Sequence, residues 1–307
     1  MFARLANGNV GPERVIEGQA TRLSRTMHGI AYDDKNDEII LPVALSGAIL
    51  VFRGDAQGEA APIRVIQGSR TGLIRPHTIA VDTVNGEIIA ADPSSRALLV
   101  FKRDATGDAA PIRVISGPKT LLLDIVGVAV DPIRNVIVAS SRSRGPTGIM
   151  VFDRLADGDV APRAYIGGPS SRLAHFRQLA IDPGTGNIFL AQQRTRPKRM
   201  DAYVAGSVGR PRQEYREPDS SEDSDFGRLT QTGFIAVYGP DDTGDIPPRA
   251  IIKGPGIRHA GAGGVALNPR TGEIIAVGGN GISTYLLPEF FQLLKRPRGP
   301  ETETTPP

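Results

Sequence analysis

Apolar residues in this chain come in short runs, such as EIIAA at Glu87–Ala91, ALLVF at Ala97–Phe101 and PIRVI at Pro111–Ile115. Each run is closed by Gly, Pro, Asn or Asp, and helical spacing of apolar positions is scarce, so the pattern predicts strands. One stretch displays a whole unit. HTIAVD (His77–Asp82) predicts a strand a, a turn follows at Asn85 and Gly86, and EIIAA and ALLVF predict strands b and c. DATGD (Asp104–Asp108) then makes a hairpin into strand d, PIRVI. Several strands are apolar on consecutive residues instead of alternating, which requires a sheet covered on both faces.

The unit recurs. Phe52–Gly68, Phe101–Gly117 and Phe152–Gly168 are near copies, Phe2–Gly18 and Tyr238–Gly254 match them, and their starts lie 50, 49, 51 and 86 residues apart. A period near fifty residues with four strands per unit predicts blades packed face to face around an axis, an all-β single β-propeller. Strand a appears five times, at Gly29–Asp33, Thr78–Asp82, Gly127–Asp131, Gln178–Asp182 and Gly264–Asn268, so five blades are expected, with six as the alternative. The last blade has no PIRVI phrase after it, whereas one stands unclaimed at Pro12–Ile16. That orphan is expected to complete the last blade as its outer strand and so close the ring, removing two exposed edges. The propeller then spans residues 1–287, with an insertion at 194–231 in blade four and a C-terminal segment at 288–307.

Composition narrows the function. The 36 Gly and 25 Pro fit a turn-rich all-β chain, and the lack of Cys excludes disulfides, thiolate metal sites and Cys nucleophiles. Net charge is +3, carried mostly by Arg since only six of the 36 basic residues are Lys, and this mild, dispersed excess argues against nucleic acid. No apolar run is long enough to span a bilayer, and MFARLANGNVG lacks the regions of a signal peptide.

The repeat phrases resemble those of bacterial NHL-like and YVTN-like propellers, with GIAVD in strand a, IxVF in strand c and an APIRTIxG-like strand d. The resemblance covers roughly residues 2–287 apart from the insertion. It implies the propeller fold and favours a cell-envelope or secreted setting. It does not fix an activity, because such propellers include binding modules, lactonases and lyases.

Most repeated polar residues are expected to serve the scaffold. Asp33, Asp82, Asp131 and Asp182, with Asn268 in the fifth copy, end strand a and are expected to accept hydrogen bonds from turn amides. Arg14, Arg64, Arg113, Arg163 and Arg249 recur in strand d, where inter-blade ion pairing is expected. Departures from the repeat are the better guide to a site. His28 and His77 precede strand a at the same repeat position, and His175 and His259 lie in the matching connections of blades four and five. Arg25, Arg75, Arg177 and Arg258 accompany them, and Asp124 stands in blade three. Every d-to-a and b-to-c connection emerges on one face, so these residues are expected to crowd the channel mouth. Arg forks there suit carboxylate, phosphate or sulfate. Neutral imidazoles with Asp124 offer the alternative of a divalent metal held by His28, His77, Asp124, His175 and His259.

The insertion opens with RTRPKR, including Arg196, Lys198 and Arg199, turns acidic from Glu217 onward, and joins a b strand to a c strand, hence the same face. EFFQLLK (Glu289–Lys295) predicts a short amphipathic helix packed on the propeller. No GxSxG, HExxH or phosphate-loop motif occurs, and no catalytic residue or cofactor is assigned. The function expected is a non-enzymatic binding or assembly module that recognises a protein partner, or a small anionic ligand, through the His and Arg face. The alternative is a metal-dependent hydrolase, lactonase or lyase with its site at the channel mouth.

Overall fold

The computed structural model describes residues 1–24, 28–142, 147–173, 176–192, 233–253, 263–278 and 281–291. Nineteen strands in chain order make five antiparallel sheets among these residues. Blade one holds β1 (Ala31–Asp33), β2 (Glu38–Val43), β3 (Ala48–Arg53) and β4 (Arg64–Ile66). Blade two holds β5 (Thr78–Asp82), β6 (Glu87–Asp92), β7 (Ala97–Lys102) and β8 (Arg113–Ser116), and blade three β9 (Ile125–Asp131), β10 (Val136–Ser141), β11 (Gly148–Asp153) and β12 (Ala164–Gly167). Blade four is β13 (Phe176–Ile181), β14 (Ile188–Gln192), β15 (Phe234–Tyr238) and β16 (Ala250–Ile252), and blade five is β17 (Gly264–Asn268), β18 (Glu273–Gly278) and β19 (Gly281–Leu286). The all-β propeller of five blades expected from the period is therefore present.

Consecutive apolar strands are explained by the packing. Ile40, Ile49 and Ile66 of blade one meet Ile79, Ile88 and Leu99 of blade two in one core layer, and similar layers lie between the next blades. Burying each of these side chains contributes about 2–3 kcal/mol. Strand b is buried along its whole length in blades one to four because it has a neighbouring strand on each side and a blade on each face.

The repeated aspartates are turn anchors as expected. Asp82 accepts from the amides of Val84 and Asn85 and from Asn85 Nδ2, and Asp33, Asp131 and Asp182 bind their own turns in the same way. The strand d arginines differ from expectation. Arg64 forks onto Glu38 at 2.7 Å for both contacts, within its own blade, and Arg113 meets Glu87 at 2.8 Å likewise. The ion pair that crosses between blades comes instead from the hairpin after strand c: Arg103 reaches Glu38 and Arg154 reaches Glu87, each at 2.9 Å. The strand d guanidinium is engaged by the carboxylate of its own strand b and meets the next blade at a hairpin carbonyl, Arg64 at that of Arg103 and Arg113 at that of Arg154, each at 3.2 Å.

The orphan N-terminal phrase, expected to complete blade five, pairs with no strand of that blade among the described residues and instead takes an outer-strand place against blade one. Ile16 bridges Gly58 as Ile66 bridges Gly107, Ile115 bridges Gly158 and Ile166 bridges Gly244, and Ile16 and Leu23 cap the outward core of blade one. Its antiparallel partner is the chain's own start, with the Glu13 amide donating to the Met1 carbonyl at 2.9 Å. Arg4 in this hairpin reaches Glu273 of blade five at 2.8 Å, so the N-terminal hairpin stands between blade five and blade one. The C-terminal segment forms a 3-10 turn at Pro288–Phe290, and Phe290 and Phe291 pack on Phe189 with ring centroids 6.1 and 6.0 Å away.

Candidate binding site at the channel mouth

The sequence places His28 and His77 one repeat apart, and the propeller turns that spacing into contact. Their rings are in contact in a tilted arrangement, with centroids 4.0 Å apart and planes 31° apart. The backbone holds both: the His77 amide donates to the Ala91 carbonyl at 2.8 Å, and the Gln178 side-chain amide donates to the His28 carbonyl from blade four. Inner-strand glycines allow this close approach. A Cβ on Gly29 would meet the Thr78 Cα at 3.0 Å, and one on Gly127 would meet the Arg177 carbonyl at 2.9 Å.

Burial lowers the His77 pKa to about 4, and His28, Arg75, Arg142 and Arg177 add repulsion in the same direction. His28 is lowered too, by burial first and then by Arg177, Arg75 and Arg142. Both imidazoles are therefore neutral near pH 7, each with an N–H to donate. Arg142 is itself lowered by burial and by Arg177, with Asp124 acting in the opposite sense, and its guanidinium donates to the Phe176 carbonyl at 3.1 Å. The Arg177 Nε is buried without a hydrogen-bond partner among the described residues.

Buried polar groups set the two loops that carry Arg75 and Asp124. Asp92, wholly buried, accepts from the amides of Ile74 and Arg75 at 2.7 Å and from those of Ser94 and Ser95 at 2.9 and 3.1 Å. Ser141 fills the same place in blade three, where its hydroxyl accepts from the Asp124 amide at 3.0 Å. A cleft of about 610 Å³ opens beside His77, lined by Arg75, Arg96, Ser94, Leu123 and Asp124. Arg96 has φ 54°, in the left-handed region, where the blade-one counterpart is Gly47. Below the mouth the inner strands leave a space of only about 70 Å³ between Gly29, Thr78, Gly127, Gln178 and Val265, so a ligand of any size is met at the rim.

Of the residues expected at this face, His28, His77, Arg75, Asp124 and Arg177 are brought together. Arg25, His175, Arg258, His259, Arg196, Lys198 and Arg199 lie outside the described residues, as does the insertion from 194 to 231. Its two attachments, Gln192 and Phe234, are paired with each other at the end of blade four nearest Phe176, so they sit at the mouth. Among the described residues no three His, Asp or Glu side chains gather to hold a metal ion. Sequence reasoning missed Arg142, Arg96 and Asp92. Arg96 carried a signal, an Arg at a turn position held by Gly in the first copy. Arg142 carried none, because its place beside the histidines is set by blade packing alone.

No protein-family model matches the chain, and no curated protein matches it either.

Proposed function

We propose that this protein is a non-enzymatic binding propeller that holds a partner protein through an anionic group of that partner at the His and Arg mouth. The observation that carries this reading is the electrostatic arrangement: Arg75, Arg142 and Arg177 act together on a contacting imidazole pair that burial and these arginines keep neutral. Such a site has donors in excess of acceptors and a net positive field, which suits a carboxylate, phosphate or sulfate oxygen. The insertion, tethered at the same face, supplies a second contact arm. The resemblance of the repeats to NHL-like and YVTN-like propellers supports a cell-envelope or secreted setting.

Titration calorimetry with inorganic phosphate and with a Glu-rich heptapeptide tests the reading. Saturable binding is expected, lost when Arg142→Ala and Arg177→Ala are combined. Binding that survives both substitutions would overturn it, as would stoichiometric metal in untagged protein that disappears on replacing His28 and His77.

A further inference from the structure

In blades one to four the outer edge of strand c is covered by strand d. The carbonyls of Val51, Val100, Val151 and Val237 accept from the amides of Ile63, Ile112, Arg163 and Arg249 at 2.7–2.8 Å. Two further contacts fix strand d in blades one and two. Its Arg meets the strand b Glu (Arg64 on Glu38, Arg113 on Glu87) and also donates to the carbonyl of the next hairpin, that of Arg103 or Arg154, at 3.2 Å. Its Val carbonyl accepts from a left-handed Gly of that hairpin, Gly107 or Gly158, at 2.6 and 2.7 Å.

Among the described residues, blade five presents the same slot without a strand in it. Thr284 of β19 is paired with Ile275 as Val51 is with Ile40, and Glu273 takes the register place of Glu38. Arg4 of the N-terminal hairpin binds Glu273 as Arg103 binds Glu38, which puts that hairpin in the place of a following blade, and its Gly8 has φ 78° like Gly107 and Gly158. Among the described residues no strand pairs with the outer edge of β19. Ile282 is 58% exposed and Thr284 is exposed, where their register counterparts Ile49 and Val51 of blade one are 0% exposed. Among the described residues Glu273 has Arg4, Thr271 and Asn268 as partners and no strand d Arg.

We propose that this edge is a docking slot for an extended segment of a partner polypeptide with the pattern Pro-Ile-Arg-Val-Ile. The segment adds to β19 as an antiparallel fourth strand. Its Arg binds Glu273 and the Arg4 carbonyl, its Val carbonyl accepts from Gly8, and its second Ile is buried as Ile66, Ile115 and Ile166 are. The chemistry of the occupant is set by the four filled slots of the same chain. The occupant is assigned to a partner polypeptide, since every copy of the phrase among the described residues is in use: β4, β8, β12 and β16 pair within their blades, and Ile16 bridges Gly58. Backbone pairing supplies the affinity and the Arg fixes the register.

The probe is a fluorescein-labelled peptide, AAPIRVISG, titrated by anisotropy against the full chain. Saturable one-to-one binding is expected, about tenfold weaker with Glu273→Gln or with the peptide Arg replaced by Ala, and not additive when the two are combined. Ile282→Lys, on an exposed side chain, and a peptide N-methylated in its strand both abolish it, with the circular dichroism spectrum of the protein unchanged. Absence of saturation at millimolar peptide would overturn the proposal, as would equal binding of the N-methylated peptide. A concentration-dependent dimer that Ile282→Lys dissolves would assign the edge to a second copy and overturn it too.

Discussion

Acidification is the sharpest probe of the mouth. His77 is held at about 4 in the folded chain against an ordinary 6.5, by burial first and then by His28, Arg75, Arg142 and Arg177. At about 1.4 kcal/mol per pKa unit the shift is worth at most about 3.5 kcal/mol, and partial exposure of the ring reduces this to about 1–2 kcal/mol. The sign follows from linkage. The folded pKa lies below the unfolded one, so the unfolded chain binds more protons between pH 6.5 and 4, and stability is full above 6.5 and falls as pH drops through that window. Glu38 titrates lower, because the hydrogen bond from Arg64 holds its pKa below the usual carboxylate value, so its share is lost at more acid pH. Urea unfolding followed by circular dichroism at pH 7.5, 5.5 and 4.5 should therefore show His77→Gln losing about 1–2 kcal/mol less than the wild type over this range. Parallel losses in the two proteins would refute the claim that the half-buried His77 is neutral among guanidiniums.

Glu38→Gln removes the charge shared by Arg64 and Arg103 and is expected to destabilise by about 2–4 kcal/mol in denaturant titration. Asp92→Ala leaves four loop amides without their acceptor, so a loss of about 2–3 kcal/mol is expected, together with weaker phosphate binding in calorimetry because the Arg75 loop loses its anchor. Gly127→Ala sets a methyl 2.7 Å from Ser140 Oγ and 2.9 Å from the Arg177 carbonyl, and thermal unfolding should show a cost of about 1–3 kcal/mol.

The blades were legible because each strand carries its own signal and the repeat supplies five chances to read it. β5 to β8 fall within two residues of the boundaries expected from HTIAVD, EIIAA, ALLVF and PIRVI. The place of His28 and His77 was legible for the same reason, since equal repeat positions on neighbouring blades become neighbours at the axis. What escaped were contacts between unlike positions. Arg142 follows strand b and the histidines precede strand a, so only the packed ring shows that they share a field. The orphan phrase was recognisable as an outer strand, but its pairing with Met1 and the reach of Arg4 to Glu273 depend on where the hairpin lies against blade five. The strand d arginines were assigned across blades because sequence does not distinguish the reach of Arg64 from that of Arg103.

The central claim is that the mouth receives an anion between the histidine pair and the arginines. The chain has four histidines, so their imidazole resonances can be followed individually by proton–carbon NMR as pH is lowered. The account predicts that His77 titrates near 4 in chloride buffer and that saturating phosphate raises its pKa by about 1 unit or more, since the bound charge offsets that of the guanidiniums. A His77 titration near 6.5 in the free protein, or one that phosphate leaves unmoved, would contradict it.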